Sequence, residues 1–305
     1  MIRVLLVLLL SILATLTFAA ETVKPVWKET AGLVRFYTGK VTMKMDDGTE
    51  NRMAVTLGTK VMAQKGNRTV IRRKTAYRNL PKEDTEATNA DTPAVPADAV
   101  TIPLPAGMEY DFLQLPQGKE WQIDETTVKP GKKQDITDVK TVLVDRFDEY
   151  GLTILFPEQG VKVGDKWSLN GYMNCQFFEN NVIVPFTIPY TASYAVDDVT
   201  VKDGKTLLVV HSELTSDVKD MHIDVGEWLG KAKGNTTETI TTHIAIKATV
   251  LFDIDAGEIF SSEFTCDRAL DGSAHDGDTE KTLKESSESK GTLTRDYDTA
   301  KYMKK

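Results

Sequence analysis

The chain has 305 residues with 37 basic and 45 acidic side chains, a formal net charge of −8, and 41 % of its residues are hydrophobic. A chain this acidic is not built to hold nucleic acid, which needs clustered Lys and Arg against phosphate. Its length allows one large core or two modest ones.

From the N-terminus, Arg3 precedes an apolar run from Val4 to Leu13, followed by Ala14, Thr15, Leu16, Thr17, Phe18, Ala19 and Ala20. A positive start, a short apolar core and a small-x-small ending describe a secretory leader. Thr17 and Ala19 suit the −3 and −1 positions, so cleavage is expected after Ala19. The competing reading is an uncleaved anchor, but Val4–Ala20 reaches only the lower limit of a membrane span. Cleavage removes Arg3 and leaves 36 basic against 45 acidic side chains, or −9. No cysteine lies near the cut to take a lipid. The expected product is periplasmic or extracellular, with no transmembrane span once the leader is gone.

The mature chain alternates with period two. "LVRFYTGKVTMKM" (33–45), the turn "DDG" (46–48) and "TENRMAVTLGTKVMA" read as a hairpin, and "KGN" (65–67) turns into "RTVIRRKTAYRN". Residues 20–80 are thus a unit of antiparallel strands. Residues 81–118 read as a Pro/Ala-rich loop or linker, since prolines 81, 93, 96, 103 and 105 cannot donate to a ladder. Residues 119–305 form the main β-rich region, and 20–305 can also be one unit. Its expected strands are "TVLVDRF" (141–147), "GLTILF" (151–156), "VIVPFTIPYTASYAV" (182–196), "KTLLVVHSEL" (205–214), "TITTHIAIKATVLFDI" (239–254) and "GEIFSSEFTCDRAL" (257–270). "VKDGK" and "DIDAG" turn between them. Met221, Val225, Trp228 and Leu229 predict one short helix near 218–233, and the tail "YMKK" is expected to fray. Strand after strand without helical spacers predicts a mainly β fold: antiparallel sheets in a β-sandwich or an open or half-closed β-barrel.

Motifs for chemistry are scarce. G-x-S-x-G, H-E-x-x-H, G-x-x-x-x-G-K-[ST] and G-x-G-x-x-G do not occur. His211, His222, His243 and His275 lie at least 11 residues apart, so no cofactor or metal site is expected from them. "DIDAG" is a turn rather than a calcium loop, and "HDGD" (275–278) is a solvated turn. Cys175 and Cys266, in an oxidising compartment, invite a disulfide, with two buried thiols as the alternative. Arg68, Arg72, Lys74 and Arg78 share strand parity and one face. They are the candidates for anionic groups of a lipid or glycan, against the plainer reading of a charge-protected edge strand. In "FPEQGVKVGDKWSLNG" (156–171), Gly164 and Asp165 read as a turn and Trp167 as a structural ring at the head of a strand.

"LFPEQGVKVGDKW", "VPFTIPYTASYAVDDVTVKDGKTLLVV" and "FDIDAGEIFSSEF" together resemble the β-rich extracytoplasmic region before the peptidoglycan-binding domain of spirochaete outer-membrane-protein-A-like proteins. They are also similar to uncharacterised bacterial secreted or lipid-anchored families that share P-x-x-x-V-K-x-G-D-x-W. The resemblance spans about 150–270. This chain lacks the lipid-attachment cysteine and a recognisable peptidoglycan-binding domain, so the resemblance implies a location and a fold type, with no catalytic residues.

The expected function is a non-enzymatic envelope scaffold that binds a protein, lipid or glycan partner. The alternatives are a carrier of a hydrophobic ligand in an open barrel, marked by a large apolar pocket, and an enzyme with an unfamiliar site such as Asp145 and Asp148.

Overall fold

A computed structural model of the chain describes residues 22–28, 30–65, 68–80, 109–114, 121–129, 142–144, 150–179, 182–224, 236–276 and 279–303. The leader, most of the Pro/Ala-rich stretch, Asp145 and Asp148 lie outside them.

The strands are β1 (Val34–Met45), β2 (Glu50–Lys65), β3 (Arg68–Asn79), β4 (Glu109–Gln114), β5 (Trp121–Lys129), β6 (Val142–Val144), β7 (Lys166–Glu179), β8 (Val182–Lys202), β9 (Lys205–Asp224), β10 (Thr236–Asp253), β11 (Glu258–Asp276) and β12 (Thr279–Asp296). A single turn of helix, α1 (Ala300–Met303), follows. All twelve strands join one antiparallel sheet in the order β5-β4-β3-β2-β1-β12-β11-β10-β9-β8-β7-β6. The sheet is open, of the half-closed barrel type, and β5 curls round to approach β7 and β8. Hairpins form where Asp-Gly turns lie in the sequence. Asp203 and Gly204 take φ of 52° and 73° between β8 and β9, the geometry of a two-residue primed turn.

Period-two alternation sorts the sheet into two faces. Tyr37, Val41, Met53, Val55, Leu57, Val210, Val250, Phe252 and Phe264 are buried on the inner face. A second cluster, Ile188, Ile240, Ile244, Ile246, Cys266 and Leu270, continues it toward the far end of the long strands.

The interior is occupied by the chain itself. Residues 151–156 are not a strand of the sheet, as their alternation suggests, but an extended segment inside its concave face. Tyr150, Leu152, Ile154 and Phe156 are buried. Side chains take the carbonyls that a ladder would otherwise satisfy. Ser262 Oγ donates to Tyr150 O at 2.7 Å, Trp27 Nε1 to Ile154 O at 3.0 Å and Trp167 Nε1 to Leu155 O at 2.9 Å. Each buried large side chain contributes about 1.5–3 kcal/mol, and each forgone ladder bond costs about 0.5–1.5 kcal/mol. Burial therefore wins.

Three further expectations change. Residues 218–224 belong to β9 rather than to a helix. The β9–β10 register shifts between Ile240 and Thr242, and Asp220 takes φ of 49°. This bulge spaces the inward-turned Val218 and Met221 three apart, which imitates helical periodicity; 225–233 fall outside the described residues. Residues 109–114, assigned from sequence to the loop, form β4. The tail is docked as far as Tyr302, whose ring stacks on Phe36 at 4.4 Å and whose hydroxyl donates to Asp296 Oδ2 at 2.7 Å.

Candidate functional site: a polar groove across the outer face

The stretch from Gly160 to Trp167 places the first strand of the site. Lys162 N donates to Asp165 Oδ2 at 3.0 Å while Asp165 N donates to Lys162 O at 3.0 Å, closing a tight turn. Gly164 completes it at φ 89°, where a side chain would be strained. The turn then docks on β8: Gly164 N donates to Val196 O at 2.8 Å, and Val196 N to Asp165 O at 3.0 Å. Val196 is where β8 bulges against β9, with the register slipping between Val196 and Asp198. Asp197 is the extra residue, and a bulge re-aims its side chain. Its Oδ2 lies 2.8 Å from His211 Nε2, and His211 Nδ1 lies 3.0 Å from Thr249 Oγ1. Asp197, His211 and Thr249 thus form a hydrogen-bonded line across three strands.

That line runs along one edge of a groove of about 830 Å³ that crosses β7 to β12. Register fixes its walls. One row runs Lys166, Ala195, His211, Thr249, Glu263, Thr292; the next but one runs Ser168, Ser193, Glu213, Lys247, Thr265, Lys290. The intervening row, Trp167, Tyr194, Ser212, Ala248, Phe264, Gly291, turns to the packed interior, so the groove opens on the outer face. Lys247 pairs with Glu213 at 3.0 Å. Lys166, Lys290 and Glu263 form no ion pair among the described residues. Its charged side chains are Lys166, Lys247 and Lys290 against Glu213, Glu263 and the adjoining Asp197, so the groove carries both signs in equal number. Five strand spacings give it a length of about 24 Å.

A second polar cluster lies at the end of the sheet where β1, β11 and β12 meet. Glu258 is buried between Arg35 Nε at 2.7 Å and Arg295 Nε at 3.2 Å. Arg35 also donates to Lys28 O, and Arg295 donates to the carbonyls of Phe36, Val34 and Asp296. Beside them Lys205 Nζ meets buried Asp253 at 2.6 Å. Burial raises the Asp253 carboxyl, but the Lys205 hydrogen bond and the amides of Ala256 and Asp255 outweigh it and hold the group below its ordinary value. The bond to Asp253 raises the Lys205 ammonium. These groups spend their donors on one another and on carbonyls. The cluster fastens strands together.

The residues singled out from sequence are scattered. Trp167 is half-buried and stacked on Tyr194, with ring centroids 5.1 Å apart. Arg72 and Lys74 stand at register positions opposite Asp111 and Glu109 of β4, and Arg78 stands opposite Ala54 of β2. Arg68 is paired with Lys65. The row of Arg78 and Ala54 continues through Lys40 and Thr292 into the groove's first row. Cys266 is buried on β11, while the side chain of Cys175, on β7, lies outside the described residues. His243 meets Asp217 and His222 meets Thr239, both on exposed strand surface. "DIDAG" is a turn, with Ala256 N donating to Asp253 Oδ1 at 2.8 Å. Among the described residues no group of three or more His, Cys, Asp or Glu is placed to hold a metal. Sequence reasoning missed the groove because its residues come from six strands, and β12 carries no strong strand signal.

No family model matches the sequence, and no curated protein matches it at a significant level. Among solved structures, the chain is similar to the hypothetical lipoprotein YmcC from Escherichia coli K12, with 8 % identity over 91 % of this chain and 93 % of that one and a TM-score of 0.23. It is also similar to OmpF of Salmonella typhi, solved in complex with daunomycin, with 7 % identity over 87 % and 97 % and a TM-score of 0.21.

Proposed function

We propose that the protein is a secreted, non-enzymatic β scaffold of the cell envelope that binds an extended polar partner in its outer-face groove. The observation that carries this is the groove itself, lined by lysines, carboxylates and hydroxyls on the outer face of the sheet. The leader sequence supports a periplasmic or extracellular location after cleavage at Ala19. The outer face of β7 to β12 is rich in Lys, Glu, Asp, Thr and Ser, the reverse of a lipid-facing barrel wall, which supports a protein that does not span the membrane. The resemblance to the region preceding peptidoglycan-binding domains belongs to this reading and adds an envelope setting. Carriage of a hydrophobic ligand is disfavoured, because residues 150–156 fill the concave face where a ligand would sit.

The test is sedimentation with the washed envelope fraction of the producing cells. The wild-type protein co-sediments. A Lys166→Glu/Lys290→Glu variant, with both changes on exposed strand positions, stays in the supernatant while keeping its melting temperature. Equal sedimentation of the two would overturn the groove as the binding face.

A further inference from the structure

We infer that the outer face of β1, β2 and β3 is a docking surface for an anionic lipid bilayer, touching the headgroups without entering the hydrocarbon. The surface is distinct from the groove, whose lining residues all come from β7 to β12. β1, β2 and β3 carry three, three and five Lys or Arg, and between them one carboxylate, Glu50, which pairs with Arg52 at 3.0 Å. The whole chain has 37 basic and 45 acidic side chains. Three neighbouring strands thus concentrate the charge that the rest of the molecule lacks.

Register puts most of that charge on one side. Arg35 is buried on Glu258, and Thr59 and Arg73 follow it in the same row, so these are inner positions. The other nine cations alternate with inward residues such as Val41, Met53 and Val61 and stand at outer positions. Thr38, Ala54, Thr56, Gly58 and Ala76 lie between them. These are small, so a flat counterpart meets the exposed Lys40, Lys44 and Lys60 first. Carboxylates stand at the margins: Asp46, Asp47 and Glu50 at the β1–β2 turn, Glu288 opposite Lys44, and Asp111 and Glu109 opposite Arg72 and Lys74. The nine outer cations outnumber these six. Away from the margins, Lys60 faces Val34 and Arg72, Arg68 faces Lys65, and Arg78 faces Ala54. From Arg68 to Arg78 the band runs about 33 Å along β3.

The band is an open sheet face. A linear polymer needs a channel to hold its course, whereas mobile headgroups rearrange to meet charges wherever they stand. Each Lys or Arg near an anionic leaflet strengthens binding roughly fivefold, and the effect fades beyond a Debye length of about 8–10 Å. Acidic side chains on the far side of the half-closed barrel lie beyond that distance, so the local charge decides. A single electrostatic patch gives a reversible hold rather than an anchor. The band therefore orients the molecule at the surface, and retention falls to the groove.

The test is binding of the full mature protein to phosphatidylglycerol vesicles and to phosphatidylcholine vesicles, at about 20 mM and about 0.5 M salt, between which the Debye length falls from about 20 Å to about 4 Å. The protein should bind phosphatidylglycerol in low salt, leave it in high salt and ignore phosphatidylcholine. Lys60→Gln/Arg78→Gln should weaken binding roughly tenfold or more and keep the melting temperature. Lys219→Gln/Lys284→Gln removes the same charge from exposed positions of β9 and β12 and should change binding by less than roughly twofold. Equal binding to the two lipids, binding that survives high salt, or equal losses in the two variants would each overturn the inference. Capture of soluble polygalacturonate through Lys60 and Arg78, with no hold on vesicles, would assign the band to a polymer and overturn it as well. Pure lipid vesicles offer the groove no partner, so failure here leaves the groove reading standing.

Discussion

Trp167 serves two structures through one ring. Its Nε1–H holds the carbonyl of Leu155 in the interior segment, and its face lies on Tyr194 at an interplanar angle of 16°. Phe156 lies 6.1 Å away, so the ring also closes the end of the filled interior. Replacement by Ala should cost roughly 2–4 kcal/mol, the lower part of the range for aromatic truncation because the ring is only half-buried. Trp167→Phe keeps the stacking surface and loses the donor, leaving a part-buried carbonyl unpaired at about 1 kcal/mol. Denaturant melts check both. A Trp167→Ala protein with an unchanged midpoint would make the ring a surface feature instead. The structural duty assigned to this residue from its place after Gly164 and Asp165 rests on these contacts.

The segment 150–156 shows how alternation informs at the level of an element. Buried residues at every second position state that the chain is extended, and they do not state that it pairs. "GLTILF" carries the strand pattern because it lies between two apolar surfaces. Gly151 is its tightest point, with φ of 65° and a site for Cβ only 2.4 Å from Ala248 Cβ. Gly151→Ala combines backbone strain with overpacking and should lower stability by roughly 2–4 kcal/mol; thermal unfolding of that variant reads it directly. The hairpins were legible because Asp-Gly turns and β-branched runs are local signals. The residues of β12 were not, since the inward positions Ser289, Gly291 and Arg295 are small or polar and leave Leu293 as the apolar mark. At Asp220 a bulge converted a period of two into a spacing of three, and the sequence imitated a helix. The groove was legible in its parts, as His211 and the turn at Gly164, but its assembly depends on the register of six strands.

At the scale of the molecule, the Lys205–Asp253 pair, which joins the start of β9 to the end of β10, links stability to pH. Asp253 is held below its ordinary value, so the stability it contributes is present above about pH 4 and is lost as pH falls through its folded value. Lys205 is raised, so its contribution is present below about pH 10.5 and is lost as pH rises through its folded value. Tyr297, raised mainly by burial and lying 4.6 Å from Lys205 Nζ, adds to the alkaline loss. The melting temperature should therefore hold a plateau between these limits and fall at both ends. Asp253→Asn should lower the plateau and flatten the acid limb. An acid limb unchanged in that variant would show that other carboxylates control it.

The place of β12 in the sheet has a consequence for time. It lies between β1, some 250 residues earlier, and β11, so the first five strands and the middle six are united in the sheet by the last strand made. Synthesis can finish the separate hairpins early, but the complete sheet must wait for residues 279–296. Long-range pairing of this kind is slow, because the loop is closed before its contacts are gained. A chain still emerging from the ribosome therefore lacks the finished sheet. Late completion leaves the two groups of strands open to each other until that strand is inserted.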